Sequence, residues 1–212
     1  MDHEQRMAAS ERVNPEVAAR IVRNLGQIEA DFFHSAWTLS ERLMHEAFLA
    51  ISQAAQAPWE VTEVDWSTRI VCPEWKMTKG VGTGDMWLEL GELLPDPDGY
   101  ERSWLATALK TASTQLCIIV KFRRGLQDFA YELLRDDKMV AGLKKAGVLR
   151  DDTEPVLYVP IDIPIETMAT GFEQNDLTTA LLPISKAAAK ALAAKGELDK
   201  LLETLRAAAK RK

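Results

Sequence analysis

Apolar side chains recur at helical spacing over the first quarter of the chain. A first stripe repeats every four or three residues: Val17, Ile21, Leu25 and Ile28. Asn14 followed by proline provides an N-cap and a favourable first helical position. A second stripe spans residues 43–54 and follows the Thr-x-x-Glu spacing of a capping box at Thr38 and Glu41. The pattern therefore predicts an N-terminal pair of helices that ends before Pro58.

Between residues 59 and 122 the pattern becomes that of β-strands. Residues 59–72 are rich in aromatic and β-branched side chains, and residues 85–93 alternate apolar and polar positions. Residues 114–122 are apolar on both faces, as a central strand requires. Residues 103–112 fit either a short helix or a strand. We expect three strands here, with 79–84 as a glycine-containing connector between the first two.

The second half of the chain is mainly helical. Helical spacing returns at residues 125–134 and 139–147, and an apolar strand over 156–163 is then reached by a helical crossover. Helices continue to the end. The predicted fold class is α/β, a mixed sheet of four or five strands with flanking helices, an N-terminal helical pair and a C-terminal helical appendage. We assign residues 1–13 to a disordered N-terminus, 14–180 to the α/β domain and 181–212 to an appendage packed on it.

Composition limits the class of protein. The chain has 212 residues, 47% hydrophobic and 27% charged, which fits one folded domain and excludes wholesale disorder. The longest strongly apolar run, residues 116–120, is far shorter than the roughly 20 residues of a membrane helix. Cys72 and Cys117 stand apart in apolar segments with no histidine nearby, so neither a disulfide framework nor a zinc site is predicted. We expect a cytoplasmic protein without a membrane partner.

Charge is unevenly distributed along the chain. The net charge is −6, yet residues 181–212 carry eight basic and three acidic side chains, so the first 180 residues carry −11. Such a basic tail can bind nucleic acid, an acidic partner or the body of its own chain. Lysine and arginine near a helix C-terminus also complement the helix dipole. We favour a solvated helix face and keep nucleic acid as a possible partner of the tail.

A second set of residues points to metal chemistry. Asp85 and Glu89 share one face of a predicted strand, and Lys121 closes the central strand. The order helix, three strands, helix, strand over residues 38–163 resembles the restriction-endonuclease-like nucleases, the PD-(D/E)XK superfamily. The resemblance implies that Asp85 and Glu89 hold Mg²⁺ beside Lys121, with Glu41 contributing from the preceding helix. Antiparallel pairing of the two strands would bring Asp85 near Lys121.

The chain departs from that family two positions before the lysine. The family pattern has an acidic residue there that supplies a second carboxylate to the metal, whereas this sequence has Ile119. An isoleucine cannot hold Mg²⁺ or lower the pKa of its water. Three hypotheses stay open: an active metal-dependent nuclease or phosphodiesterase, a nuclease-like fold without catalysis, and an unrelated α/β layer fold. We expect no catalytic residue, no metal and no cofactor.

Tryptophan and glycine residues mark a candidate recognition surface. We predict binding through the connector and its flanks: Trp75, Lys76, Lys79, Gly80, Gly82, Gly84 and Trp87. Trp75 lies in a polar stretch, so we expect its ring to be exposed as an anchor for a partner. The glycines do not predict a phosphate site, because a strand follows them where such sites need a helix. The sequence thus favours a non-enzymatic, cytoplasmic recognition module for a protein partner, and leaves its oligomeric state open.

Overall fold

The fold, taken from a computed structural model that describes residues 14–64, 66–76, 84–93, 103–111 and 114–210, combines an antiparallel sheet with a layer of helices. Within these residues the sheet has six strands in the order β1-β2-β3-β4-β6-β5. They are β1 (Glu60–Val64), β2 (Ser67–Val71), β3 (Met86–Glu92), β4 (Leu116–Phe122), β5 (Leu149–Arg150) and β6 (Leu157–Pro160). The fold class is therefore α/β, as predicted, with more strands than the four or five expected.

Helices account for most of the remaining described chain. They are α1 (Pro15–Arg23), α2 (Leu25–Phe33), α3 (Ser40–Ala54), α4 (Trp104–Ala108), α5 (Arg124–Leu133), α6 (Asp137–Lys145), α7 (Ile165–Glu173), α8 (Leu182–Ala193) and α9 (Lys195–Ala209). Asn14 caps α1 by accepting from the backbone N–H of Glu16 at 2.9 Å. Ser103 caps α4 by accepting from the N–H of Ala106, so a helix forms where the sequence left helix and strand open.

The N-terminal helical pair is one long helical segment with two irregularities. At Asn24 the backbone leaves helical geometry (φ −112°, ψ 14°), which separates α1 from α2. Residues His34–Leu39 then form a π-helical stretch that leads directly into α3. Thr38 lies inside this stretch, so the predicted capping box does not form a helix start.

The hydrophobic core lies between the helices and one face of the sheet. Met86, Leu88 and Leu90 of β3 are fully buried on that face, as alternation along a strand predicts. Helices α3, α5, α8 and α9 contribute buried side chains to the same cluster. On the opposite face, Cys117 and Ile119 of β4 form a smaller buried cluster with Leu93. β4 is therefore apolar on both faces because it is covered on both.

Two extra strands explain the difference in strand number. The predicted strand over 59–72 is a hairpin in which Val64 pairs with Ser67. Trp66 lies in the turn with φ +62°, a conformation that usually falls to glycine or asparagine, so the residue type at this position does not predict the turn. β5 has only Leu149 and Arg150, too short for any periodicity to predict.

The direction of the last strand also differs from the prediction. A helical crossover was expected to make residues 156–163 part of a mixed sheet, but β6 pairs antiparallel with both β4 and β5. The two helices α5 and α6 do return the chain, and they deliver it to β5, which runs in the direction of β4. The β5–β6 hairpin then inserts β6 between them.

The C-terminal helices pack into the main core. Leu198, Leu201, Leu202 and Leu205 of α9 are all buried, and so are Ile184 and three alanines of α8. In the described part of the chain, no helix is long and apolar enough to cross a membrane. Residues 1–13, predicted to be disordered, lie outside the described residues.

Candidate functional site

Trp75 is buried and does not form a partner-binding anchor. Its side chain is 1% exposed, its indole Nε1 donates to Asp199 Oδ1 at 2.7 Å, and its ring meets that of Trp59 edge-on. A short 3₁₀ turn, Pro73–Trp75, carries the ring toward α9. Its polar neighbours Glu74 and Lys76 form ion pairs with Lys195 and Glu60, respectively. The prediction of an exposed Trp75 was wrong.

Asp85 holds two arginines from distant parts of the chain. Its carboxylate is nearly buried and accepts from Arg123 Nε at one oxygen and from Arg206 Nε, 2.8 Å away, at the other. Its backbone N–H donates to the Trp75 carbonyl at 2.7 Å, and its own carbonyl accepts from the Arg123 N–H at 3.0 Å. Arg206 belongs to α9. Asp85 therefore ties the last helix to the start of β3 and the end of β4.

A second group of polar contacts joins α9 to the turn beside Trp75. Lys195 Nζ donates to Asp199 at 2.8 Å and lies 3.0 Å from Glu74, whose carboxylate also accepts from the Cys72 thiol. The Cys72 and Lys195 hydrogen bonds hold the pKa of Glu74 below its ordinary value, and the Asp199 carboxylate raises the pKa of Lys195. We call the whole group the α9 clamp: Cys72, Glu74, Trp75, Asp85, Arg123, Lys195, Asp199 and Arg206.

Glu89 and Trp87 belong to a separate cluster on the sheet. Glu89 Oε2 accepts from the Trp87 indole at 2.8 Å and lies 3.5 Å from Arg69, whose guanidinium is stacked 5.1 Å from the Trp87 ring centre. The Asp85 carboxylate pairs with Arg123 and Arg206, whereas Glu89 contacts Trp87 and Arg69. The two carboxylates therefore have separate partners and do not form a pair of metal ligands. Among the described residues no group of three or more His, Cys, Asp or Glu side chains could hold a metal ion.

Among the described residues, neither Lys121 nor Glu41 forms an ion pair with Asp85 or Glu89. β3 and β4 pair antiparallel, which is the condition under which Asp85 was expected near Lys121. The register sets Lys121 opposite Trp87, however, and Asp85 bonds to Arg123. Glu41 is exposed on α3, whose buried side faces the core. The four residues of the alternative nuclease site are thus not assembled into one centre.

Of the glycine connector over 79–84, the structure describes only Gly84. At Gly84 a Cβ atom would lie 2.6 Å from the Trp75 carbonyl oxygen, so this position needs glycine for the close approach of two backbone segments. Lys76 pairs with Glu60. Lys79, Gly80 and Gly82 lie outside the described residues.

Both cysteines are free thiols in the interior, as the sequence predicted. Burial raises the pKa of the Cys117 thiol to about 12, and burial together with the hydrogen bond to Glu74 raises that of Cys72. A thiol with a raised pKa is not a nucleophile near neutral pH, since the thiolate is the reactive form. The cysteines thus act as packing residues.

A cleft of about 270 Å³ opens between β4 and α5. Its lining is mostly apolar, with Lys121, Gln127 and Tyr131 as polar members. Tyr131 donates to Glu154 at 2.5 Å and borders a second cleft of about 530 Å³ around residues 150–155. Neither cleft contains a residue predicted from the sequence other than Lys121 and Ile119. The clefts offer contact surface, and no metal-binding group of acids.

An exposed apolar stripe on α1 and α2 is a surface that the sequence analysis did not assign as a site. Neither helix has a buried residue. Five side chains at helical spacing are between 37% and 56% exposed: Val17, Ile21, Leu25, Ile28 and Phe32. We call them the N-terminal apolar face. The sequence analysis identified all of them except Phe32 as the apolar stripe of a helix. Such a stripe normally packs on a core.

Comparison with known proteins adds no assignment to these features. The chain matches no protein-family model, no curated protein and no solved structure.

Replacing Asp85 by asparagine should destabilise the protein by about 3 kcal/mol, since removing one partner from a buried charge pair leaves the other uncompensated. This is the low end of the range of about 3–5 kcal/mol for breaking a buried ion pair, because Arg123 and Arg206 remain about one-third exposed. Urea unfolding measures the effect. Asp162→Asn is the control, because the Asp162 side chain is 81% exposed beside Lys110. Equal midpoints for the two variants would show that the Asp85 contacts contribute no stability.

Proposed function

We propose that the protein is a non-enzymatic interaction module that binds another polypeptide through the N-terminal apolar face. The observation that carries the proposal is the exposure of Val17, Ile21, Leu25, Ile28 and Phe32 on two helices with no buried residue. Contiguous apolar surface of this kind marks interaction sites in folded proteins, because leaving it in water costs free energy that association recovers.

The shape of the surface favours a helical or flat apolar partner. Apolar positions at intervals of three and four residues form one stripe along a helix, which is the arrangement of helix-mediated recognition. Charged residues also lie on the two helices, with Glu16, Arg20 and Arg23 on α1 and Glu29 and Asp31 on α2. The partner is therefore expected to combine an apolar strip with charges of both signs.

The non-enzymatic part of the proposal is supported by how the candidate catalytic residues are used. Both oxygens of Asp85 accept hydrogen bonds from arginine, and Glu89 accepts from Trp87 beside Arg69. Ile119 is buried where the nuclease pattern needs a carboxylate. The resemblance to the PD-(D/E)XK superfamily stays a proposal about fold, in which the protein keeps a nuclease-like sheet without its chemistry.

The basic tail supports a protein partner over nucleic acid. Lys195 and Arg206 are engaged with Glu74 and Asp85 of the domain, and Lys200 with Glu197 on the same helix. These side chains therefore neutralise acids of their own chain and are less available for phosphates. We propose a cytoplasmic location, where free thiols such as Cys72 and Cys117 persist.

Proximity labelling in cells tests the proposed surface. We expect the set of labelled neighbours of the full chain to be lost in Ile28→Glu, because a carboxylate in the middle of the stripe opposes burial. The matched control is Ala30→Glu, which adds the same charge two residues away at an exposed position outside the stripe. Retention of the same neighbours by all three proteins would refute the proposed surface.

We also expect no Mg²⁺- or Mn²⁺-dependent cleavage of single- or double-stranded DNA or RNA. The reason is that no carboxylate stands at position 119 and that Asp85 is bound by arginines. Product formation by purified protein is compared with that of Lys121→Ala, which leaves the α9 clamp intact. Cleavage by the wild-type chain that disappears in Lys121→Ala would contradict the non-enzymatic proposal and support the metal-dependent alternative.

A further inference from the structure

The charges beside the N-terminal apolar face change sign along the segment. Arg20 and Arg23 lie on α1, and Glu29 and Asp31 lie on α2. Within the described residues none of the four has an ion-pair partner, and the one side-chain hydrogen bond among them joins Gln27 to Asp31 at 2.7 Å. α1 also carries Glu16 in its first turn, so the change of sign is confined to residues 20–31. Within that range the first half is positive and the second half negative, which makes it complementary to itself when reversed.

The apolar positions have the same reversal symmetry about Leu25. Ile21 lies four residues before Leu25 and Ile28 three residues after it, while Val17 and Phe32 lie eight before and seven after. Each pair is thus symmetric to within one residue, about 1.5 Å along a helix. Arg20 and Asp31 are five before and six after, an offset of one residue in the opposite sense.

From this symmetry we infer, resting on the proposed function, that the partner at the N-terminal apolar face is a second copy of this chain. The α1–α2 segments of two copies run antiparallel and cross at Leu25. Ile21 of one copy then packs near Ile28 of the other, and Arg20 lies near Asp31 of the other copy. A two-fold axis repeats each contact, as a symmetric homodimer requires.

Alternative arrangements fit the charges less well. A parallel pair would place the two positive stretches side by side and the two negative stretches side by side, which is repulsive. An unrelated partner helix needs a complementary face but gives no reason for the sequence of this segment to be symmetric about Leu25. The interruption of the helix at Asn24 lies beside the proposed crossing point, so the two halves of each segment meet the two halves of the other copy separately.

Charge reversal followed by charge exchange tests the inference on the full chain. Analytical ultracentrifugation over a range of concentrations gives the dimer dissociation constant. We expect Arg20→Glu to weaken the dimer about tenfold, since the symmetric dimer converts two attractive contacts into repulsive ones. Arg20→Glu combined with Asp31→Lys should restore most of the wild-type affinity. Ile28→Glu should abolish the dimer and Ala30→Glu should leave it unchanged, with far-UV circular dichroism confirming that every variant is folded.

Two results would overturn the inference. One is a wild-type chain that stays monomeric up to about 100 µM, and the other is a charge-exchanged variant that binds no better than Arg20→Glu alone. In either case the labelling experiment separates the two proposals. If Ile28→Glu still loses its cellular neighbours, the face binds a different protein and the proposed function stands. If the neighbours are unchanged, the proposed function fails as well.

Discussion

A chain that ends at Ala194 should lose cooperative unfolding altogether. The truncation removes α9 and with it four leucines that are 2% exposed or less: Leu198, Leu201, Leu202 and Leu205. Each buried leucine contributes about 2–5 kcal/mol when shortened to alanine, so their combined loss approaches or exceeds the 5–15 kcal/mol stability of a typical domain. Urea unfolding followed by far-UV circular dichroism should show no sigmoidal transition for the truncated protein.

Point variants separate this effect from a nonspecific effect of truncation. Leu202→Ala should lower the free energy of unfolding by about 3 kcal/mol because it leaves a cavity in the core. The adjacent, exposed Glu203→Ala should change it by less than about 0.5 kcal/mol. A truncated protein with an unchanged urea midpoint would instead show that α9 is a free arm, and would restore the basic tail as a candidate nucleic-acid surface.

Trp75→Ala should destabilise the protein by about 4 kcal/mol. The substitution removes a fully buried ring and its contact with Trp59, and it leaves Asp199 without the indole donor. Trp75→Phe keeps most of the ring volume, so we expect an intermediate loss of about 1–2 kcal/mol from the missing hydrogen bond and the poorer fit. Thermal and urea unfolding of the three proteins give the ranking.

Trp37 provides the matched control for Trp75. Its ring is 54% exposed and contacts Trp66 edge-on, so Trp37→Ala should cost about 1 kcal/mol or less. If Trp75→Ala were no more destabilising than Trp37→Ala, Trp75 would have to be accessible in solution, and the recognition surface predicted from the sequence would regain support.

The central part of the fold could be predicted because its pattern depends on near neighbours. Alternation along residues 86–92 is confirmed by the burial of Met86, Leu88 and Leu90, and the doubly apolar run at 116–122 is a central strand between β3 and β6. The strand over residues 116–122 pairs antiparallel with β3, the arrangement that the sequence analysis considered. Side-chain period and residue type determine such features directly.

The environments of Trp75 and Asp85 could not be predicted because they depend on contacts distant in sequence. Trp75 bonds to Asp199, and Asp85 bonds to Arg206, each more than 120 positions away. The local surroundings of Trp75 are polar, so local reasoning predicted an exposed ring. Charged residues such as Glu74 and Lys76 can flank a buried Trp75 when they form ion pairs at the edge of the core. The sequence does not indicate which distant residues will supply their partners.

In the N-terminal helices, apolar side chains whose pattern is typical of burial are instead exposed. The stripe from Val17 to Ile28 has the same periodicity as the stripe of α3, which is buried against the sheet through Leu43, Ala47 and Ile51. Periodicity establishes that a helix has an apolar side, but it does not determine whether that side meets its own domain or another chain. In the described part of the chain α1 and α2 have no buried residue, and periodicity alone does not give this placement.

Photo-crosslinking at position 25 tests most directly whether the N-terminal apolar face is a binding surface. Leu25 is replaced by benzoylphenylalanine in the full chain, and Ala30→benzoylphenylalanine is the control. We expect irradiation to give a covalent adduct at position 25 and little or none at position 30, with the mass of two copies of the chain. The absence of any adduct at position 25, or equal yields at the two positions, would contradict the assignment of this face as the interaction site.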